Sequence, residues 1–106
     1  MISLKILFSL RKGKITEAQQ LLNSIKRPDW LSARYHAYYH FSLSLLASYH
    51  QDTQSAQLHS LKALEMGQLQ DKEIGILFYN LARVAFENQD WEAAAEQLQK
   101  LKELDI

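Results

Sequence analysis

His36 and His40 stand four residues apart in the stretch "HAYYH". On a helix that spacing puts both imidazoles on one face, where they can meet a single metal ion. The stretch lacks the glutamate that a zinc protease motif carries beside its first histidine, and the surrounding sequence offers no obvious third ligand. A metal site needs three or four ligands. The expectation is therefore two partly buried, hydrogen-bonded histidines and no metal, with His50 and His59 at the surface. Glu92 and Glu96 share the same spacing, but they fall on the outer face of an amphipathic segment, where solvation accounts for them. No glycine-rich phosphate loop or nucleophile elbow occurs, and there is no cysteine to serve as thiol nucleophile or thiolate ligand. The residues read as those of a protein that is not an enzyme and takes no cofactor.

Charge narrows the partners. Lysine plus arginine and aspartate plus glutamate both total 12, which argues against an overall affinity for nucleic acid. The distribution is uneven. Residues 1–36 hold seven basic groups against Glu17 and Asp29, a net of +5, and residues 37–106 carry the balancing −5. The opening "MISLKILFSL" is apolar, but it is interrupted by Lys5 and is far short of the roughly 20 residues of a spanning helix. It also lacks the small-residue cleavage site of a signal peptide. Arg11, Lys12 and Lys14 follow at once, as they would beside the stub of a membrane anchor. An ordinary first helix of a cytoplasmic protein is the favoured reading, and a membrane partner enters only with the anchor.

The elements that position these residues are helices. Three glycines and one proline are too few for a protein of many tight turns, while 47% of the residues are apolar. Ala18, Ala56 and Ala94 recur at a step of 38 residues. The same step joins Ile25, Ala63 and Leu101, and carries Leu43 onto Leu81, Ser44 onto Ala82 and Asp52 onto Asp90. Self-similarity at such a period marks stacked repeats. Asp52 and Asp90 are helix N-caps by residue type, Thr16 with Gln19 makes a capping-box pattern, and Gly13 and Gly67 fall where helices end. The stripe Trp91, Ala94, Ala95, Leu98 and Leu101 has helical spacing. The expected map is one domain over 1–106 with six helices near 2–11, 15–26, 30–50, 53–66, 71–88 and 91–104. The units fall near 1–29, 30–70 and 71–106, with short links and antiparallel neighbours.

The third unit, with Phe78, Leu81-Ala82, Ala85, Ala94 and Leu98, resembles the tetratricopeptide repeat family. The middle unit matches through His40, Leu43-Ser44, Ala47 and Ala56, and the first through Ile6, Ser9, Ala18 and Leu22. The step of 38 exceeds the family's period of about 34 by one helical turn, and the proline that closes a typical unit is missing. The resemblance implies an all-α short right-handed solenoid of helix hairpins whose first helices line a groove for a peptide or protein segment. Carried over by position, the groove residues are Phe41, Ser42, Leu45 and Tyr49, then Tyr79, Asn80, Arg83 and Glu87. The tyrosine-rich segment Tyr35, Tyr38, Tyr39 supports a binding surface by composition, since tyrosine and arginine dominate contact hot spots.

The expected function is thus a protein–protein interaction module or scaffold. The rival expectation is self-association through an uncovered apolar edge at Leu98, Leu101 and Leu104, aided by the oppositely charged halves. A third is a piece of a larger membrane-anchored or regulatory protein.

Overall fold

A computed structural model of the 106-residue chain describes residues 15–104. Among these there are five α-helices and no strand: α1 (Ile15–Asn23), α2 (Ala33–Tyr49), α3 (Thr53–Met66), α4 (Asp71–Glu87) and α5 (Trp91–Glu103), with one 3-10 turn at Pro28–Trp30 between α1 and α2. The helix expected near 2–11 lies outside the described residues, as do Ile6, Ser9 and Gly13. The remaining boundaries fall close to those read from the sequence, with three differences. Helix α1 ends at Asn23 rather than 26. Thr16 lies inside α1 rather than capping it. The middle helix begins at Ala33, not 30, because Pro28 starts the 3-10 turn and Ser32 then takes the N-cap, its Oγ accepting from the Tyr35 N–H.

The joints of the two hairpins are copies of each other. At the end of α2 the chain enters the left-handed region at Gln51 (φ 60°), and at the end of α4 it does the same at Gln89 (φ 60°). The Asp52 N–H reaches back to Ala47 O at 2.8 Å and Gln51 N–H to Ser48 O at 3.1 Å; Asp90 to Ala85 O at 2.9 Å and Gln89 to Phe86 O at 3.0 Å repeat the pattern. These are the paired bonds of a Schellman ending, which satisfy the last carbonyls of the helix. Asp52 and Asp90 then cap the next helix, accepting from Ser55 N–H and Ala93 N–H, each at 3.2 Å. One turn closes α2 and opens α3, and the same turn closes α4 and opens α5. The link between hairpins differs: Gly67 (φ 68°) ends α3, and Glu73 accepts from the Gln70 N–H at 2.9 Å to start α4.

Packing follows the small residues. Between α2 and α3, Ala37, Ala47, Ala56 and Ala63 are buried and the Ser44 and Ser60 hydroxyls meet at 2.6 Å, so the two helices approach closely. Helix α4 lies over both of them. Its Leu77 joins Ala37, Tyr38, Phe41, Ala63 and Leu69 in one core cluster, with Leu45 and Ile74 packed at its margin. A second cluster, Ala18, Leu22 and Leu46 with Tyr39 and Leu43, fastens α1 to α2. Among the described helices, α1 touches only α2 and α5 touches only α4. The middle helix is covered on several sides, while one face of the last hairpin has no neighbour among the described residues.

Candidate functional site

That open face is a groove. Tyr79, Ala82, Arg83 and Phe86 of α4 and Ala94 and Leu98 of α5 enclose about 230 Å³. Helical spacing produces it: 79, 82, 83 and 86 fall on one side of α4, and 94 and 98 on the facing side of α5. The small Ala82 and Ala94 form the floor and are buried, while Tyr79 (57%), Phe86 (63%) and Leu98 (50%) stand exposed as walls. Trp91 extends the apolar surface, meeting the Phe86 ring edge-on at 5.0 Å between centroids. Arg83 bonds to Glu87 at 2.9 Å, an exposed pair one helical turn apart, which orients the guanidinium along the rim more than it stabilises the fold.

The 38-residue step shows what such a groove holds elsewhere in this chain. The counterparts of Tyr79, Ala82, Arg83, Ala94 and Leu98 are Phe41, Ser44, Leu45, Ala56 and Ser60. Of these, Phe41, Ser44, Ala56 and Ser60 are all at least 97% buried, and Leu45 packs against the core cluster that contains Leu77. In the preceding hairpin the equivalent groove is filled, and the element lying across it is α4.

This placement sorts the residues named from the sequence. Tyr79, Arg83 and Leu98, expected at two different sites, line one groove, with Glu87 beside it. Phe41 and Ser42 are interior side chains, Asn80 is 8% exposed, and Leu45 is packed against the core, so these four do not present a contact surface. The assignment of Phe41 and Ser42 to a groove is corrected: a following helix covers this hairpin, as it does not cover the last. Tyr49 is exposed but stands at the α2 terminus, against the His50 ring. Leu101 and Leu104 are only half-buried, and they do not line the groove. Phe86 and Trp91 were not singled out as contact residues. The signal was present, because the step of 38 replaces Ser48 by Phe86 and so puts an aromatic where the covered hairpin has a small polar residue.

A second concavity, about 640 Å³, lies among the 3-10 turn, α2 and α3 and is lined by Asp29, His36, Tyr39, His40, His59 and Lys62 among others. His59, expected at the surface, is half-buried there. Its Nδ1 is 2.9 Å from His40 Nδ1, and the two rings stack at 5.1 Å. One nitrogen must donate and the other accept, so the contact is incompatible with both rings being protonated at once. Burial first, and then the nearby His59, His36 and Lys62, hold the His40 pKa down at about 4, against a small opposing pull from Asp29. His59 is also lowered, by burial and Lys62, with Asp52 opposing. Among the described residues no three of His, Asp and Glu are arranged to hold a metal ion.

No described helix is long and apolar enough to cross a membrane. Comparison of the chain with family models, with curated proteins and with solved structures returns no match.

Proposed function

We propose that the protein is an interaction module whose α4–α5 groove holds an amphipathic helix of a partner, and that its hairpins are successive units of a short right-handed stack of the kind found in tetratricopeptide repeats. One observation carries the reading. The same groove, one repeat earlier, is filled by a helix, and in the last hairpin its apolar walls stand in water. Exposed aromatic walls over an alanine floor suit a helix that inserts leucine-sized side chains at three-and-four spacing. Tyr79, Phe86 and Trp91 supply stiff contact area at small entropic cost, which is what affinity needs from an interface of modest size. Arg83 on the rim is held by Glu87, so the groove has a polar edge on one side that can set the direction of the incoming helix.

The test is retention of a helical partner by the wild-type chain and by Phe86→Arg and Leu98→Arg, each first checked for unchanged helicity and melting. Both positions are half exposed or more, so an arginine is tolerated in the free protein and excludes an apolar helix from the groove. Loss of the partner in both variants is expected. Retention in both would remove the groove from the function.

A further inference from the structure

The occupant of the groove can be named from this chain. We infer that it is residues 1–14 of a second copy, so that the molecules associate head to tail. The inference rests on the reading of the α4–α5 groove as a helix-binding site and adds the identity of the helix.

Three observations converge. The first is register. In the described repeats the element that fills the groove of one hairpin is the first helix of the next unit: α4, followed by α5, lies across the hairpin α2–α3. Residues 2–11 stand two steps of 38 before residues 78–87 of α4, and Ile2, Leu4, Ile6, Leu7, Phe8 and Leu10 make them an apolar run able to fill a groove. The second is charge. Residues 1–14 contain Lys5, Arg11, Lys12 and Lys14 and no acidic residue, a net of +4. The α4–α5 hairpin, 71–104, holds seven acidic and four basic groups, a net of −3. At its turn, next to Phe86 and Trp91, stand Glu87, Asp90 and Glu92, with Arg83 already paired to Glu87. An apolar segment trailed by a basic cluster therefore meets an apolar groove flanked by an acidic turn, a match that favours this occupant over an acidic or neutral one.

The third is placement. Residues 1–14 adjoin α1, and among the described helices α1 packs on α2 and not on the α4–α5 hairpin that carries the groove. The contact is heterologous, one end of the molecule against the opposite end of the next, and it repeats without using up either surface.

Complementary variants test this on the full chain. One carries Leu98→Arg, which blocks the groove; the other carries Leu4→Asp and Leu7→Asp, which spoil the segment. Sedimentation should show wild-type chains growing with concentration and falling apart as salt is raised. Either variant alone should associate roughly thirtyfold more weakly or worse, while an equimolar mixture of the two should give one-to-one dimers that grow no further, since each supplies the surface the other lacks. The absence of native cysteine allows a second measurement that does not depend on those substitutions. Leu4→Cys mixed with Leu98→Cys should give a cross-linked pair under a short bis-maleimide, and Leu4→Cys mixed with Trp30→Cys should not. Wild-type chains that stay monomeric, variants that associate as wild type does, or a mixture that fails to pair would each overturn the inference. If the chain is monomeric yet retains a foreign helical partner that Leu98→Arg loses, the second copy is excluded and the helix-binding reading stands. If neither occurs, both fall.

Discussion

Ser60 and Leu98 occupy the same position in two successive hairpins, 38 residues apart, and one is completely buried while the other is 50% exposed. The difference lies in what covers them, because the turns that set the two hairpins are the same. Reciprocal exchanges should therefore be unequal. Leu98→Ser removes a side chain still half in water, at a cost of about 1 kcal/mol or less. Ser60→Leu forces a larger side chain against Ser44 and into a site with no free surface, at about 1–3 kcal/mol, and leaves the Ser44 hydroxyl without its partner. Urea denaturation of the two variants measures both values. Similar costs would mean that the two positions are equally covered.

The same contrast holds between Phe41 and Tyr79. Phe41 is 3% exposed and sits in the cluster with Leu77, so Phe41→Ala should destabilise by about 3–5 kcal/mol. Tyr79→Ala, at the equivalent place on the open groove, should cost about 1 kcal/mol or less in folding, with its effect on binding instead. Denaturation alongside a binding measurement separates the two. A binding defect in Phe41→Ala would report a damaged fold rather than a lost contact.

These pairs also show what could be read in advance. The helical period, the aspartate caps and the step of 38 are local properties, set by which residues neighbour one another along one helix or one turn, and they placed α3 at 53–66 as observed. Whether Phe41 faces a ligand or a neighbouring helix is not local. It depends on where α4 lies, and periodicity marks both faces of a twice-covered helix alike. The His40–His59 contact was hidden for the same reason, since it joins residues 19 apart on two helices whose relative rotation the small residues decide. The groove was partly legible: the stripe of α5 showed that Leu98 has a partner to find, but not that Tyr79 and Arg83 share it.

The left-handed residues were also missed, because the chain places glutamine where glycine is usual. Gln51 and Gln89 both adopt φ 60°, a region in which a Cβ crowds the following carbonyl at a cost of about 1–2 kcal/mol. Both are exposed, so little packing is lost on removing the side chain. Gln51→Gly and Gln89→Gly should each stabilise the fold by about 0.5–1 kcal/mol after the gain in unfolded-chain entropy is subtracted. As separate turns they should add in the double variant. Thermal melts test this. A loss of stability in either variant would show that the glutamine side chain makes a contact worth more than the backbone strain.

Acid should weaken the fold through His40. Its pKa in the folded protein is about 4, against an ordinary 6.5, because burial, the facing His59, and Lys62 and His36 all oppose a positive charge there. Between those two values the unfolded chain takes up a proton that the folded chain refuses, so stability is complete above pH 6.5 and declines as the pH falls toward 4. The loss is about 1–2 kcal/mol once partial solvent access is allowed for, or roughly 5–10 °C in Tm for a domain of this size. His59 is lowered for related reasons and steepens the decline in the same direction. The short contact between the two Nδ1 atoms explains why relaxation does not relieve the strain: with both rings protonated, two N–H groups would point at one another across 2.9 Å. In His40→Phe the titrating group is gone while the ring still fills the space between α2 and α3. That variant should melt lower than wild type at pH 7.5, where the hydrogen bond to His59 is lost, and should show a shallower fall between pH 6.5 and 4. Melting curves at half-unit pH steps decide it. A slope as steep in His40→Phe as in wild type would place the acid sensitivity on other groups and leave the histidine pair as packing alone.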